Sequence, residues 1–136
     1  MAKQRNIPRP LLAGIVLIIF ASAYVYFLTP TQEYADVTVA EAKALIEGKP
    51  DMVILDVRTP SEFDDGHIEG AINIPVDYLA ERLDELSKDD ELLVYCRTGN
   101  RSARAVEILD DNGFTKIFHM DAGITGWLDA GYPVVE

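Results

Sequence analysis

Two uninterrupted apolar tetrads constrain this chain more than any other feature: residues 52–55 (MVIL) and 92–95 (LLVY). A strand with one wet face alternates apolar and polar side chains, so a strand with no polar member needs cover on both faces. Residues 71–74 and 116–118 predict two weaker strands. The segments between carry helical spacing. Thr38 and Glu41 form the signature of a capping box that opens a helix through Ile46, with Gly48 as its stop. Thr59-Pro60-Ser61-Glu62 repeats that signature with Pro60 at the first helical position. Residues 76–86 place Leu79, Leu83 and Leu86 on one helical face. Residues 102–109 do the same for Ala105, Ile108 and Leu109, and Asn112-Gly113 ends that helix. Strand and helix alternating in this way predict a three-layer α/β domain of about 100 residues, with a mostly parallel central sheet flanked by helices.

Ahead of this domain the sequence changes character. Residues 1–10 are basic, and residues 11–28 (LLAGIVLIIFASAYVYFL) carry no charge. As a helix, 18 residues at 1.5 Å each span about 27 Å, enough for a hydrocarbon core. The expectation is one N-terminal transmembrane anchor at residues 11–28, with residues 1–10 cytoplasmic and the following domain extracytoplasmic. The alternative is a signal peptide cleaved near Ala23, since Ala21-Ser22-Ala23 has the small-x-small pattern of a cleavage site. Residues 29–34 (TPTQEY) read as a linker, with Pro30 ending the helix, and residues 35–136 as the domain.

All 23 acidic residues follow residue 28, against nine of the twelve basic ones, so that part of the chain carries a formal charge of −14 (9 minus 23). Such a surface repels nucleic acid, which excludes a DNA or RNA role. The single cysteine, Cys96, excludes an intramolecular disulfide and zinc sites built on cysteine pairs. His67 and His119 stand far apart and make no metal-binding pattern.

The stretch ELLVYCRTGNRSARAVEIL holds the chemistry. A buried strand delivers the chain to Cys96. Arg97, Thr98, Gly99, Asn100 and Arg101 then turn it into a helix. Gly99 permits positive φ in a tight turn. Successive backbone N–H groups in that turn, with the helix N-terminus behind them, can converge on one anionic atom. A thiolate held there has a lowered pKa and reacts at neutral pH, whereas a cysteine at an ordinary strand end is an inert core thiol. Arg97 and Arg101 add positive charge next to it.

With these residues in view, the chain resembles the rhodanese family of single-domain sulfurtransferases from about Val37 to its C-terminus. The loop from Cys96 to Arg101 is similar to the family's active-site loop, with Cys96 matching its catalytic cysteine. Upstream, Leu55-Asp56-Val57-Arg58, Glu62 and the run from Gly66-His67-Ile68 to Pro75 resemble its N-terminal signature. Downstream, Gly123-Ile124-Thr125-Gly126-Trp127 and Ala130-Gly131-Tyr132-Pro133-Val134 resemble its closing motif. Ala122 stands where many members have a second glycine.

The resemblance implies sulfur transfer in two half-reactions. The Cys96 thiolate takes the outer sulfur of a small anionic donor such as thiosulfate. The resulting persulfide, held by backbone amides of Arg97 through Arg101, passes the sulfur to cyanide, a thiol or a protein acceptor. It implies no metal and no organic cofactor. Asp56 and Arg58 border the active face, where holding loops by charge-assisted hydrogen bonds is their expected role. His67 is expected to stabilise a turn rather than act as a base, because a thiolate made by local dipoles needs none. His119 is expected to face solvent or stand behind the site, and Trp127 to pack in the core or wall.

Two other functions fit the same architecture. Phosphatase or arsenate reductase chemistry uses a longer loop, Cys-x5-Arg, around a tetrahedral oxyanion. Here Cys96 and Arg101 enclose four residues, which suits one sulfur atom better. A non-catalytic binding or redox-sensing module is the other, and for redox sensing the resolving thiol would have to come from another molecule.

Overall fold

The computed structural model describes residues 34–136 without a break, together with six helical positions at 14, 18–21 and 24. Apart from those six, the expected anchor at residues 11–28 lies outside the described residues, as do residues 1–10 and 29–33. Among the described residues, no helix is long and apolar enough to cross a membrane.

Five strands form one parallel sheet: β1 (Tyr34–Val37), β2 (Val53–Asp56), β3 (Ile72–Asn73), β4 (Leu92–Tyr95) and β5 (Ile117–Met120), in the order β1-β5-β4-β2-β3. β4 is central, and all four of its residues are buried. Its side chains alternate between two cores. Leu92 and Val94 face one of these, with Cys96 just beyond the strand end. That core is roofed by α3 (Val76–Leu79) and α4 (Asn100–Asp111), through Leu79, Ala105, Val106 and Leu109. Leu93 and Tyr95 face the other, roofed by α1 (Val39–Gly48) and α5 (Gly123–Asp129) through Ala42, Ile124 and Trp127. The three-layer expectation holds.

Both capping boxes form. In α1 the Glu41 N–H donates to Thr38 Oγ1 at 3.2 Å, and the Thr38 N–H donates back to Glu41 Oε2 at 2.8 Å. In α2 (Pro60–Asp64) the Thr59 and Glu62 pair does the same.

The structure departs from the sequence reading in three places. Tyr34, assigned to the linker, is the first residue of β1 and pairs with Ile117. Of that strand only Val37 is buried, so the edge strand carries little apolar signal. Gly48 is the last residue of α1 rather than its stop, and Lys49 caps it. The single helix expected over residues 76–86 is two pieces, α3 and a 3-10 turn at Leu83–Glu85. Asp84 and Glu85 would stand at the negative C-terminal end of one continuous helix. The two short turns instead bring Leu79, Leu83 and Leu86 to the same core.

Candidate active site

Cys96 lies where β4 ends and the loop to α4 begins, at the C-terminal edge of the sheet, where open α/β sheets present their ligand sites. The residue is 1% exposed. Its Sγ accepts a hydrogen bond from the Gly99 N–H at 3.1 Å and from the Ser102 hydroxyl at 3.3 Å. Burial resists ionisation of this thiol. The Ser102 hydroxyl and the backbone N–H groups of Ser102, Gly99 and Thr98 outweigh burial and bring the thiol below its usual pKa.

The loop is built from two close backbone approaches. Gly99 caps α4 at φ 101°, and a Cβ there would lie 2.3 Å from the Asp121 carbonyl oxygen. Gly123 has φ 62°, and its Cβ would lie 2.3 Å from the Arg97 carbonyl oxygen. That proximity lets the Ile124 N–H reach the Cys96 carbonyl at 2.9 Å and the Thr125 N–H reach the Arg97 carbonyl at 3.2 Å. Two of the loop's carbonyls, those of Cys96 and Arg97, are therefore tied back onto α5, and the Gly99 N–H faces Sγ. Ala122 sits at φ −68°, where no glycine is required.

The other expected site residues divide. Arg97, Thr98 and Asn100 are exposed at the loop surface. Arg97 borders a cleft of about 410 Å³ that is also lined by Arg58, Glu62, Thr125 and Leu128. Arg101 forks onto Glu62 at 2.7 and 2.8 Å, so both arms of its guanidinium are held by a carboxylate. That pairing brings Glu62 down to about 2. Asp56 and Arg58 are buried partners: Arg58 Nη2 donates to Asp56 Oδ2 at 2.6 Å and to the Gly66 carbonyl at 2.7 Å. They join the end of β2 to the Gly66 turn, as loop-holding residues should. His67 stacks on Phe63, its Nδ1 lies 2.8 Å from the Phe63 carbonyl, and its backbone pairs with Val135. It holds the turn and does not touch Cys96. Trp127 is buried, with its indole N–H donating to the Pro133 carbonyl at 2.8 Å.

The sequence reading missed Ser102 as a site residue. It occupies the third position of α4, and helical side chains lean toward the N-terminus, so its hydroxyl points back at the loop. A short hydroxyl six residues after the cysteine, in the first turn of the following helix, was the available signal. His119 takes the second of its two expected placements, behind the site: it is 5% exposed, with Nε2 at 2.8 Å from the Ser102 hydroxyl and Nδ1 at 2.8 Å from Asp36 Oδ1.

Comparison with known proteins agrees with this geometry. The rhodanese-like domain family matches residues 38–130. The uncharacterized protein YqhL of Bacillus subtilis is 37% identical over 83% of this chain and 90% of its own length. A thiosulfate sulfurtransferase of Tolumonas auensis is 30% identical over 70% of this chain and 89% of its own. Among solved structures, a rhodanese-related protein from Thermoplasma volcanium superposes with a TM-score of 0.67 at 40% identity, covering 75% of this chain and 98% of that one. With a family match across nearly the whole described domain, the parallel sheet and relatives named as sulfurtransferases, the chain belongs to the rhodanese-like domain family.

Proposed function

We propose that this protein is a sulfurtransferase that carries sulfane sulfur as a Cys96 persulfide. The observation that carries the reading is that Cys96 Sγ faces the Gly99 N–H and the Ser102 hydroxyl, donors that outweigh burial and favour the thiolate. In the first half-reaction the Cys96 thiolate attacks the outer sulfur of thiosulfate. The new S–S bond forms as the bond to the sulfonate sulfur breaks, and sulfite leaves with that electron pair. In the second, a thiolate or cyanide attacks the outer persulfide sulfur and Cys96 leaves as the thiolate. Charge and electrons balance without an external oxidant or reductant. The cleft beside Arg97 and Arg58 is the entry for donor and acceptor.

Phosphatase or arsenate reductase chemistry is less well supported, because the arginine that would clamp a tetrahedral oxyanion is already paired with Glu62. The first test is intact mass of the protein after incubation with thiosulfate, beside Cys96→Ala. A gain of one sulfur atom, absent in the variant and discharged by cyanide, is the expected result. No gain with thiosulfate or polysulfide would overturn the reading, and a phosphatase substrate tested next would separate phosphatase chemistry from a binding module.

The uncharged run at residues 11–28 with the bases before it supports a further part of the proposal, a membrane anchor with the sulfur-carrying domain outside the cytoplasm. The full chain should then stay with membranes through an alkaline carbonate wash. Release of a shortened chain would point to cleavage near Ala23.

A further inference from the structure

Behind Cys96 stand four side chains in series. Cys96 Sγ is 3.3 Å from Ser102 Oγ, which is 2.8 Å from His119 Nε2, whose Nδ1 is 2.8 Å from Asp36 Oδ1. The last three have the order of a serine–histidine–aspartate triad. Ser102 is fully buried and presents no nucleophile to solvent, so the series ends on the cysteine. We propose that Asp36 and His119 are positioning residues that set, through the Ser102 hydroxyl, whether Cys96 receives its side-chain hydrogen bond.

The argument turns on one hydrogen. A serine hydroxyl has a single proton to donate. Around Ser102 Oγ stand three groups: Cys96 Sγ, the Gly99 carbonyl at 3.0 Å, and His119 Nε2. The Asp36 carboxylate only accepts, so Nδ1 of His119 carries a hydrogen in either state of the ring. When the imidazole is neutral, Nε2 is a lone pair and competes for the Ser102 proton at the shortest of the three distances. When it is protonated, Nε2–H donates to Ser102 Oγ and the hydroxyl proton is released toward the others. The Gly99 carbonyl and Cys96 Sγ each already accept one backbone N–H, and of the two the thiolate carries the charge and is the stronger acceptor for the released proton. Protonated His119 therefore favours the hydroxyl on sulfur, and neutral His119 withdraws it.

The series has its own opening. Asp36 and His119 line a cleft of about 180 Å³ with Tyr34 from β1, Glu107 from α4 and Asp121 beyond β5. Among the described residues, these are the titratable groups that line the cleft with the imidazole, besides Cys96 beyond Ser102, and none of the lining residues is a lysine or arginine. Asp36 is 64% exposed, so protons exchange there without passing the loop that holds sulfur.

The inference gives Cys96 its role from the proposed function, but its test needs no sulfur substrate. The rate of Cys96 alkylation by iodoacetamide is followed across pH in the full chain, with its His119→Gln, Asp36→Asn and Ser102→Ala variants. In the wild type the profile should show two macroscopic inflections, because thiol and imidazole are coupled. His119→Gln, whose amide has no proton to lose, should show one. Ser102→Ala should react about tenfold more slowly on the acid side of the second inflection, where protonated His119 leaves the hydroxyl on sulfur, the size of one lost charge-assisted hydrogen bond, and this gap should close on the alkaline side. Adding His119→Gln to Ser102→Ala should then change nothing, since the imidazole acts only through that hydroxyl.

Asp36→Asn alters an exposed side chain and serves even if His119→Gln fails to fold. By removing the carboxylate beside Nδ1 it should shift the second inflection of Cys96 alkylation to lower pH. An Asp36→Asn variant whose Cys96 profile matches the wild type would overturn the inference. So would an effect of His119→Gln that persists without Ser102. Sulfur uptake from thiosulfate, measured on the same samples, reports the proposed function separately: coupling without uptake would leave this inference standing and that reading refuted.

Discussion

Gly123→Ala tests how the loop is held, and its cost can be worked from the backbone. Gly123 has φ 62°, and alanine in the left-handed region costs about 1–2 kcal/mol. The added Cβ would lie 2.3 Å from the Arg97 carbonyl oxygen and 2.7 Å from that of Cys96. Relief requires a separation of about 1 Å between α5 and the loop, given ordinary contact distances. That movement breaks the Ile124 and Thr125 hydrogen bonds to these two carbonyls, each worth about 1 kcal/mol. The expected total is about 3–4 kcal/mol.

Gly131 supplies the control. Its φ is 79°, and nothing lies within 4 Å of the Cβ an alanine would add. Gly131→Ala should cost only the backbone contribution, about 1–2 kcal/mol. The difference of about 2 kcal/mol corresponds to roughly 10 °C in Tm for a domain of this size. Thermal unfolding of the two variants side by side is the assay, with iodoacetamide alkylation of Cys96 as the second readout. Gly123→Ala should also slow alkylation at neutral pH, because the donors facing Sγ move with the loop. Equal losses of Tm in the two variants, with unchanged Cys96 reactivity, would refute the idea that α5 braces the loop.

Two further outcomes follow from the ion pairs around the site. Arg58→Ala should destabilise by about 3–5 kcal/mol in urea denaturation, because it leaves the fully buried Asp56 without its cation and the Gly66 carbonyl without its donor. Adding Asp56→Asn should recover part of that loss. Glu62 has its pKa lowered from 4.5 to about 2, chiefly by Arg101, so its stabilisation is present above pH 4.5 and lost as pH falls toward 2. The gap in urea midpoint between wild type and Glu62→Gln should therefore be constant near neutrality and close across that acid window. A gap that did not narrow there would show that the Glu62 carboxylate does not stabilise the fold through Arg101.

The features that the sequence made legible are those whose cause is local. Fully apolar tetrads required cover on both faces, and β2 and β4 lie inside the sheet with helices above and below. Two capping boxes opened α1 and α2 where their residues said they would. Cys96, with a glycine three residues on and a helix behind it, was identifiable because the donors to its sulfur come from residues 99 and 102. β1 was less visible, since its pairing with β5 joins residues 34–37 to residues 117–120 and three of its four side chains are exposed.

Two contacts of the site that the sequence did not reveal bridge distant positions. The guanidinium of Arg101 is met by a carboxylate 39 residues earlier, presented by the first turn of α2, which takes both of its arms. His119 was expected to face solvent or stand behind the site, and it stands behind it through contacts the sequence did not name. Parallel pairing of β1 with β5 places Asp36 beside it, and packing of α4 on the sheet places Ser102 against its other nitrogen. The register that makes β1 a strand is thus the same contact that supplies His119 with a carboxylate. An edge strand that contributes one buried side chain to the core has a second consequence at the active site. Shortening the chain from the N-terminal side into β1 would remove Asp36 and alter Cys96 reactivity, even if the remaining sheet folded unchanged.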